Sequence, residues 1–207
     1  IFVVINPAAG KDEPILNVLN DVFRQHGVEW EADITHKFGD ATELARKAAA
    51  AGYDLVAGYG GDGTQHEIAN GLIGTGVMMG VLPGGTGNGF ANEIGIPKTL
   101  REAVELLCTS REVRHVDAVQ MGDQYFIQRL YVGIEPEEQT SREMKDRYGV
   151  LAYGVSAYQQ TVNQPESQYR ITVDGEVIEM PGTKCYVVNS GRTGTGLSVL
   201  GHNFAVD

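Results

Sequence analysis

Cysteine is scarce in this chain of 207 residues: only Cys108 and Cys185 occur. They lie far apart and have none of the short spacings that bind metal, so two reduced thiols in a cytosolic protein are expected rather than a disulfide. Long hydrophobic runs are missing too. No apolar stretch approaches the ~18 to 20 residues that cross a bilayer, and no signal-peptide pattern is present. Basic residues are outnumbered, 16 Lys and Arg against 27 Asp and Glu, and the formal net charge is −11. An acid excess of that size argues against nucleic acid as a partner and against simple attraction to anionic lipid. Repeats and low-complexity tracts are absent; Ala48-Ala49-Ala50-Ala51 is simply good helix former. What remains is a 42% hydrophobic chain, enough for one domain or two small ones with a real core.

Glycine, by contrast, is concentrated where apolar runs end. Leu55-Val56-Ala57-Gly58-Tyr59 is followed by Gly60-Gly61-Asp62-Gly63-Thr64. Glycines at 60, 61 and 63 let an anion approach the amide N–H groups, and the predicted helix from Thr64 to Leu72 would turn its positive dipole end toward the same anion. A tight strand-to-helix turn explains the pentapeptide equally well when it stands alone. Its context is a second strand, Val77-Met78-Met79-Gly80-Val81-Leu82, which runs into Pro83-Gly84-Gly85-Thr86-Gly87-Asn88-Gly89-Phe90-Ala91, and a third, Ile1-Phe2-Val3-Val4-Ile5, which runs into Asn6-Pro7-Ala8-Ala9-Gly10-Lys11. In an open α/β sheet ligands sit beyond the carboxyl ends of the strands, so three such loops point to one site.

These three elements, with Glu67, Asn70 and Gly71 behind the second, resemble the diacylglycerol kinase catalytic domain family, which includes soluble bacterial diacylglycerol kinases and the sphingosine and ceramide kinases. The order and spacing of three motifs carry the resemblance, since Gly-Gly-Asp-Gly-Thr alone is shared with NAD kinases and is similar to a phosphofructokinase loop. The resemblance implies an ATP-dependent lipid kinase using Mg²⁺, acting on a diacylglycerol-like lipid at a membrane surface, cytoplasmic and peripheral to the membrane. It leaves a homodimer open and the metal ligands unassigned. It also implies a longer protein: the chain opens on Ile1 without an initiator methionine, and the family continues past this point with an Asp-Gly-Leu-Leu-Asp-like segment, so a C-terminal portion is expected after Asp207. Two alternatives stay in view, a NAD kinase-like enzyme and a catalytically silent nucleotide-binding regulator.

The rhythm of the chain supports a parallel sheet in its first half. A helix from Pro14 to about His26 stops at Gly27, a strand follows over Val28 to Thr35, and Asp40 with Glu43 gives a capping-box-like start to a helix ending at Gly52. Another helix covers Leu100 to Cys108. Strands alternating with helices imply right-handed crossovers. After Ser110 strands dominate: Val113 to Met121 and Gln124 to Ile127 flank the hairpin signal Gly122-Asp123, and Tyr169 to Thr172 and Lys184 to Val188 stand around Asp174-Gly175. A helix is expected over 137–160. The pattern gives an α/β domain over 1–109 and a β-rich one over 110–207; the resemblance implies that the first is a NAD kinase/phosphofructokinase-like nucleotide-binding domain and the second an incomplete lipid-substrate domain built as a sandwich.

Phosphoryl transfer needs positioning and charge neutralisation more than covalent chemistry. Gly60, Gly61, Gly63 and Thr64 are expected to cradle phosphate, and Asp62 is expected to be the catalytic carboxylate, as acceptor of the substrate proton or as metal ligand. Asn6, Thr35, Gly85, Thr86 and Asn88 match family positions near the nucleotide, with Gly10 and Lys11 at the same edge. Glu67 and Asn70 share one helix face and brace the loop from behind. His66 reads as a helix-surface residue, and Tyr148, Tyr153 and Tyr158 as packing. One position departs from the family pattern Gly-Thr-x-Asn-Asp-Phe-Ala: Gly89 stands where the acid belongs.

Overall fold

The computed structural model describes residues 1–10, 12–133, 166–182 and 184–189. One compact unit contains Ile1–Gln128 together with Asn189, and a second contains the described strands within Arg129–Val188. Lys11, the helix expected over 137–160 with its three tyrosines, and the segment 204–207 fall outside the described residues.

The first unit is built on a four-stranded parallel sheet of β1 (Phe2–Ile5), β2 (Glu31–Ile34), β3 (Leu55–Gly60) and β4 (Met78–Pro83), in the spatial order β2-β1-β3-β4. The central strands read as continuous apolar runs because both of their faces are covered. Alternate residues go to opposite layers: Val3, Ile5, Ala57 and Tyr59 pack with Leu19, Val22 and Phe23 of helix α1 (Ile15–His26) and with Leu100, Ala103 and Val104 of α5 (Leu100–Thr109). Val4 and Val56 face Ala41, Ala45 and Ala48 of α2 (Asp40–Ala50) and Ile68 and Leu72 of α3 (Asp62–Leu72). The expected α/β fold, a parallel sheet with helices followed by antiparallel strands, is thus present.

Local chemistry sets the helix ends. Gly27 takes a left-handed φ of 64°, and the Gly27 and Val28 N–H groups return to the Arg24 and Phe23 carbonyls, stopping α1 where expected. Thr99 caps α5, its hydroxyl accepting from the Glu102 N–H. The capping box expected at α2 is not formed. Asp40 instead accepts from the His36 and Lys37 N–H groups, Glu43 pairs with Arg46, and the cap position is Gly39, which has no side chain to offer. Glu67 of α3 fills the role: one of its oxygens accepts from Gly39 N–H at 2.9 Å and Ala41 N–H at 3.2 Å. Helices α2 and α3 come together because one contact face is alanine and the other is Gly71, where a Cβ would lie 2.6 Å from the Thr42 carbonyl oxygen.

A hairpin of β5 (Val119–Met121) and β6 (Gln124–Phe126) turns at Gly122 with φ 59°. It covers less than the expected Val113 to Met121. In the second unit β8 (Ser167–Val173) pairs with β9 (Glu176–Gly182) across Asp174-Gly175, both at positive φ, while β10 (Lys184–Val188) pairs with β7 (Arg129–Gly133). The strand expected to follow that turn at Lys184 is therefore preceded by another, Glu176–Gly182, in which Pro181 interrupts the apolar pattern.

Candidate functional site

The loops after β1, β3 and β4 all leave the carboxyl edge of the sheet. Because β2 lies on one side of β1 and β3 on the other, the chain reverses direction there, which is where a parallel sheet opens a crevice. Neighbouring loops are drawn together by backbone. The Gly84 N–H donates to the Gly60 carbonyl at 3.0 Å, and a Cβ on Gly85 would lie 2.6 Å from the Gly61 Cα. Only glycine permits that approach. Likewise a Cβ on Gly60 would meet the Thr64 side chain at 2.4 Å, so the turn folds back onto its own helix.

Helix α3 begins at Asp62, two residues earlier than expected, and no side chain caps it. Its first-turn amides therefore face outward from Gly61, Asp62, Gly63 and Thr64, with the helix dipole behind them. Gly63 is exposed, with open space where a Cβ would stand, whereas Thr64 is buried. The Thr64 hydroxyl accepts from the Asn6 side-chain amide at 2.9 Å. Asn6 also accepts the Ala8 N–H on its own oxygen, an Asx turn that curls the β1 loop toward α3. Further along that loop Gly10 comes beside Thr86, the site of a Cβ at 3.5 Å from the Thr86 hydroxyl. Thr35 lies one strand over, its N–H donating to the Ile5 carbonyl.

Asp62 is not a free carboxylate. Its two oxygens accept from the Gly89 N–H at 3.0 Å and the Phe90 N–H at 2.9 Å, which makes Asp62 the cap of α4 (Gly89–Glu93) and a strut between two loops. Each oxygen keeps a second lone pair. The α4 helix, not expected from the sequence, has Asn88 at its N-cap, whose left-handed φ of 48° is paired with a closed ring: its side chain accepts the Gly85 N–H at 2.8 Å and donates to the Gly85 carbonyl at 2.6 Å. Gly89, where the family pattern has an acid, contributes a backbone N–H to Asp62.

Of the other expected site residues, Glu67 points away from the loops, as the cap of α2 described above. Asn70 holds the β5–β6 hairpin, donating to the Tyr125 carbonyl at 2.7 Å and accepting the Tyr125 N–H at 2.9 Å. His66 is half-buried beside it, and burial lowers its pKa below the ordinary histidine value. The loops therefore bring Asn6, Gly10, Gly60, Gly61, Asp62, Thr64, Gly85, Thr86 and Asn88 into one neighbourhood. Among the described residues no group of three or more His, Cys, Asp or Glu side chains is arranged to hold a metal ion. The arrangement of these loops offers backbone N–H groups to a phosphate-bearing ligand.

Sequence reasoning missed Glu13 and Asn189. Asn189 donates to the carbonyls of Asp117 and Ile127 and pins the returning chain to the first unit, a long-range role with no local signal.

The model of the diacylglycerol kinase catalytic domain matches residues 1–121 of this chain. The chain is 30% identical over 184 residues to the diacylglycerol kinase of Staphylococcus carnosus, covering 86% of this chain and 60% of that protein. To the diacylglycerol kinase of Bacillus subtilis it is 31% identical over 185 residues, with the same coverage of each. Among solved structures it is similar to a diacylglycerol kinase from Bacillus anthracis, with a TM-score of 0.77 at 27% identity over 96% of this chain and 66% of that one. The chain spans about 60% of the length of the curated relatives it matches.

Proposed function

Because the chain belongs to the diacylglycerol kinase catalytic domain family, we propose that it is the nucleotide-binding part of an ATP-dependent lipid kinase that moves a γ-phosphoryl group to the hydroxyl of a diacylglycerol-like lipid. The observation that carries this reading is the side-chain-uncapped start of α3 set against the Gly61–Gly85 backbone contact. That surface is shaped for phosphate oxygens. In this reading the amides of Gly61, Gly63 and Thr64 hold the phosphates, with Gly60, Gly85, Thr86 and Asn88 forming the opposite wall. Asn6, Gly10, Lys11 and Thr35 border the nucleotide. Asp62 orients the acceptor and takes its hydroxyl proton on a lone pair that the α4 amides leave open. Mg²⁺ bound to the nucleotide phosphates would supply neutralisation of their charge, as is usual for a cation that keeps most of its waters. The lipid is met at a membrane surface by the residues from 110 onward, while Glu67 serves the fold as the cap of α2.

Transfer of labelled γ-phosphate from ATP to dispersed diacylglycerol tests the reading, with NAD as the competing acceptor. Labelled lipid is the expected product. Labelled NAD in its place would move the protein to the NAD kinase-like alternative. Gly89 favours one other reading, a nucleotide-binding regulator, in which ATP binds with no transfer to either acceptor.

A further inference from the structure

Tyr59 is wholly buried at the end of β3, one residue before the glycine turn, yet its phenol reaches a carboxylate: its hydroxyl donates to Glu13 Oε1 at 2.8 Å. Burial and that bond both raise its pKa, so the phenol keeps its proton at any ordinary pH. Its backbone makes a second tie. The Tyr59 carbonyl accepts from the Asn6 N–H at 2.9 Å. The β1 loop therefore leaves the sheet at Asn6 and re-enters the fold at Glu13 under the hold of one residue. The ring makes the third contact: a Cβ on Gly84 would lie 2.7 Å from it, so the loop after β4 rests on the same side chain.

We propose that Tyr59 is a positioning residue for nucleotide, latching the β1 loop shut through Glu13. It touches no ligand itself. By fixing both ends of the segment from Asn6 to Glu13 it places Gly10 against Thr86 and Asn6 against Thr64, the two points where that loop closes the site. Losing the latch frees the Glu13 end while the Asn6 end stays paired to the sheet, so the loop must be ordered again each time nucleotide binds. The inference rests on the nucleotide-binding reading above for its function, and on the loop alone for its geometry.

Two measurements separate those levels. Hydrogen exchange in the nucleotide-free protein reads the latch directly: in Tyr59→Phe the amide of Ile15, which donates to the Glu13 carbonyl, should exchange about fivefold to tenfold faster. Calorimetric titration with ADP reads its use. Tyr59→Phe and Glu13→Ala should each weaken ADP about fivefold, the double variant no further, and Glu13→Gln, which still offers an acceptor oxygen, should stay near the parent. Unchanged exchange in Tyr59→Phe would overturn the latch. Faster exchange with parental ADP affinity would overturn its role in binding, and so would losses that simply add in the double variant. If the parent protein binds no ADP while exchange still responds, the nucleotide reading fails and the positioning role with it, and the loop latch stands as a feature of the fold alone.

Discussion

Gly85 and Gly63 lie in facing loops and make opposite demands. At Gly85 a Cβ would meet the Gly61 backbone at 2.6 Å, so Gly85→Ala must push the loops apart; we expect a loss of about 1–3 kcal/mol in urea unfolding and a large drop in ADP affinity. Gly63 has open space around it and an ordinary helical φ, so Gly63→Ala should leave stability within about 0.5 kcal/mol or raise it. Weakened ADP binding in that variant would then report on the amide surface and not on the fold. Asp62→Asn tests a third kind of position. Its amide would set an N–H against the Gly89 or Phe90 N–H, so about 1–3 kcal/mol of stability should go along with the transfer activity. His66 provides a pH handle. Burial lowers its pKa from the ordinary 6.5, so above that pH both states are neutral. Below it the unfolded chain takes up a proton that the folded one resists, and stability falls. Thermal unfolding between about pH 8 and pH 5.5 should show this slope, flattened in His66→Gln.

At the scale of elements, the pairing of α2 with α3 reverses a usual rule. Gly→Ala inside a helix normally adds about 1 kcal/mol, but Gly71→Ala would drive a methyl into the Thr42 carbonyl and the Ala45 side chain. Destabilisation is expected, and a raised Tm would show that the helices can separate freely. The same pair explains what the sequence could tell and what it could not. Buried strands and the alanine-rich helix α2 were legible because periodicity and local composition encode them. So was the convergence of three glycine loops at one edge, since parallel order follows from alternating elements. The cap of α2 was misread because Asp40 and Glu43 are a local signal, whereas the operative carboxylate, Glu67, arrives from another helix. Glu67→Ala should therefore cost about 1–2 kcal/mol and Glu67→Gln much less, because one oxygen accepts both N–H groups. The short α4 escaped notice for a similar reason, as its cap, Asp62, precedes it by 27 residues.

The molecule as a whole carries a net charge of −11, so its folded form works against its own repulsion. Raising salt from about 10 mM to about 150 mM should lift Tm by about 1–3 °C. Age acts on the chain as well. Asn88-Gly89 and Asn70-Gly71 are the dipeptides most prone to deamidation, a reaction in which the following backbone nitrogen attacks the asparagine side-chain carbon. In the fold the Gly89 nitrogen is committed to Asp62, and Gly71 lies inside α3, so neither nitrogen is free to attack. Each asparagine amide is meanwhile a strut that an acid could not replace, since the Gly85 and Tyr125 carbonyls require a donor. The fold is thus the preservative of its own fasteners. A period spent unfolded would be written into the chain as aspartate and isoaspartate at 70 and 88, legible by peptide mass spectrometry, and refolding would not erase it.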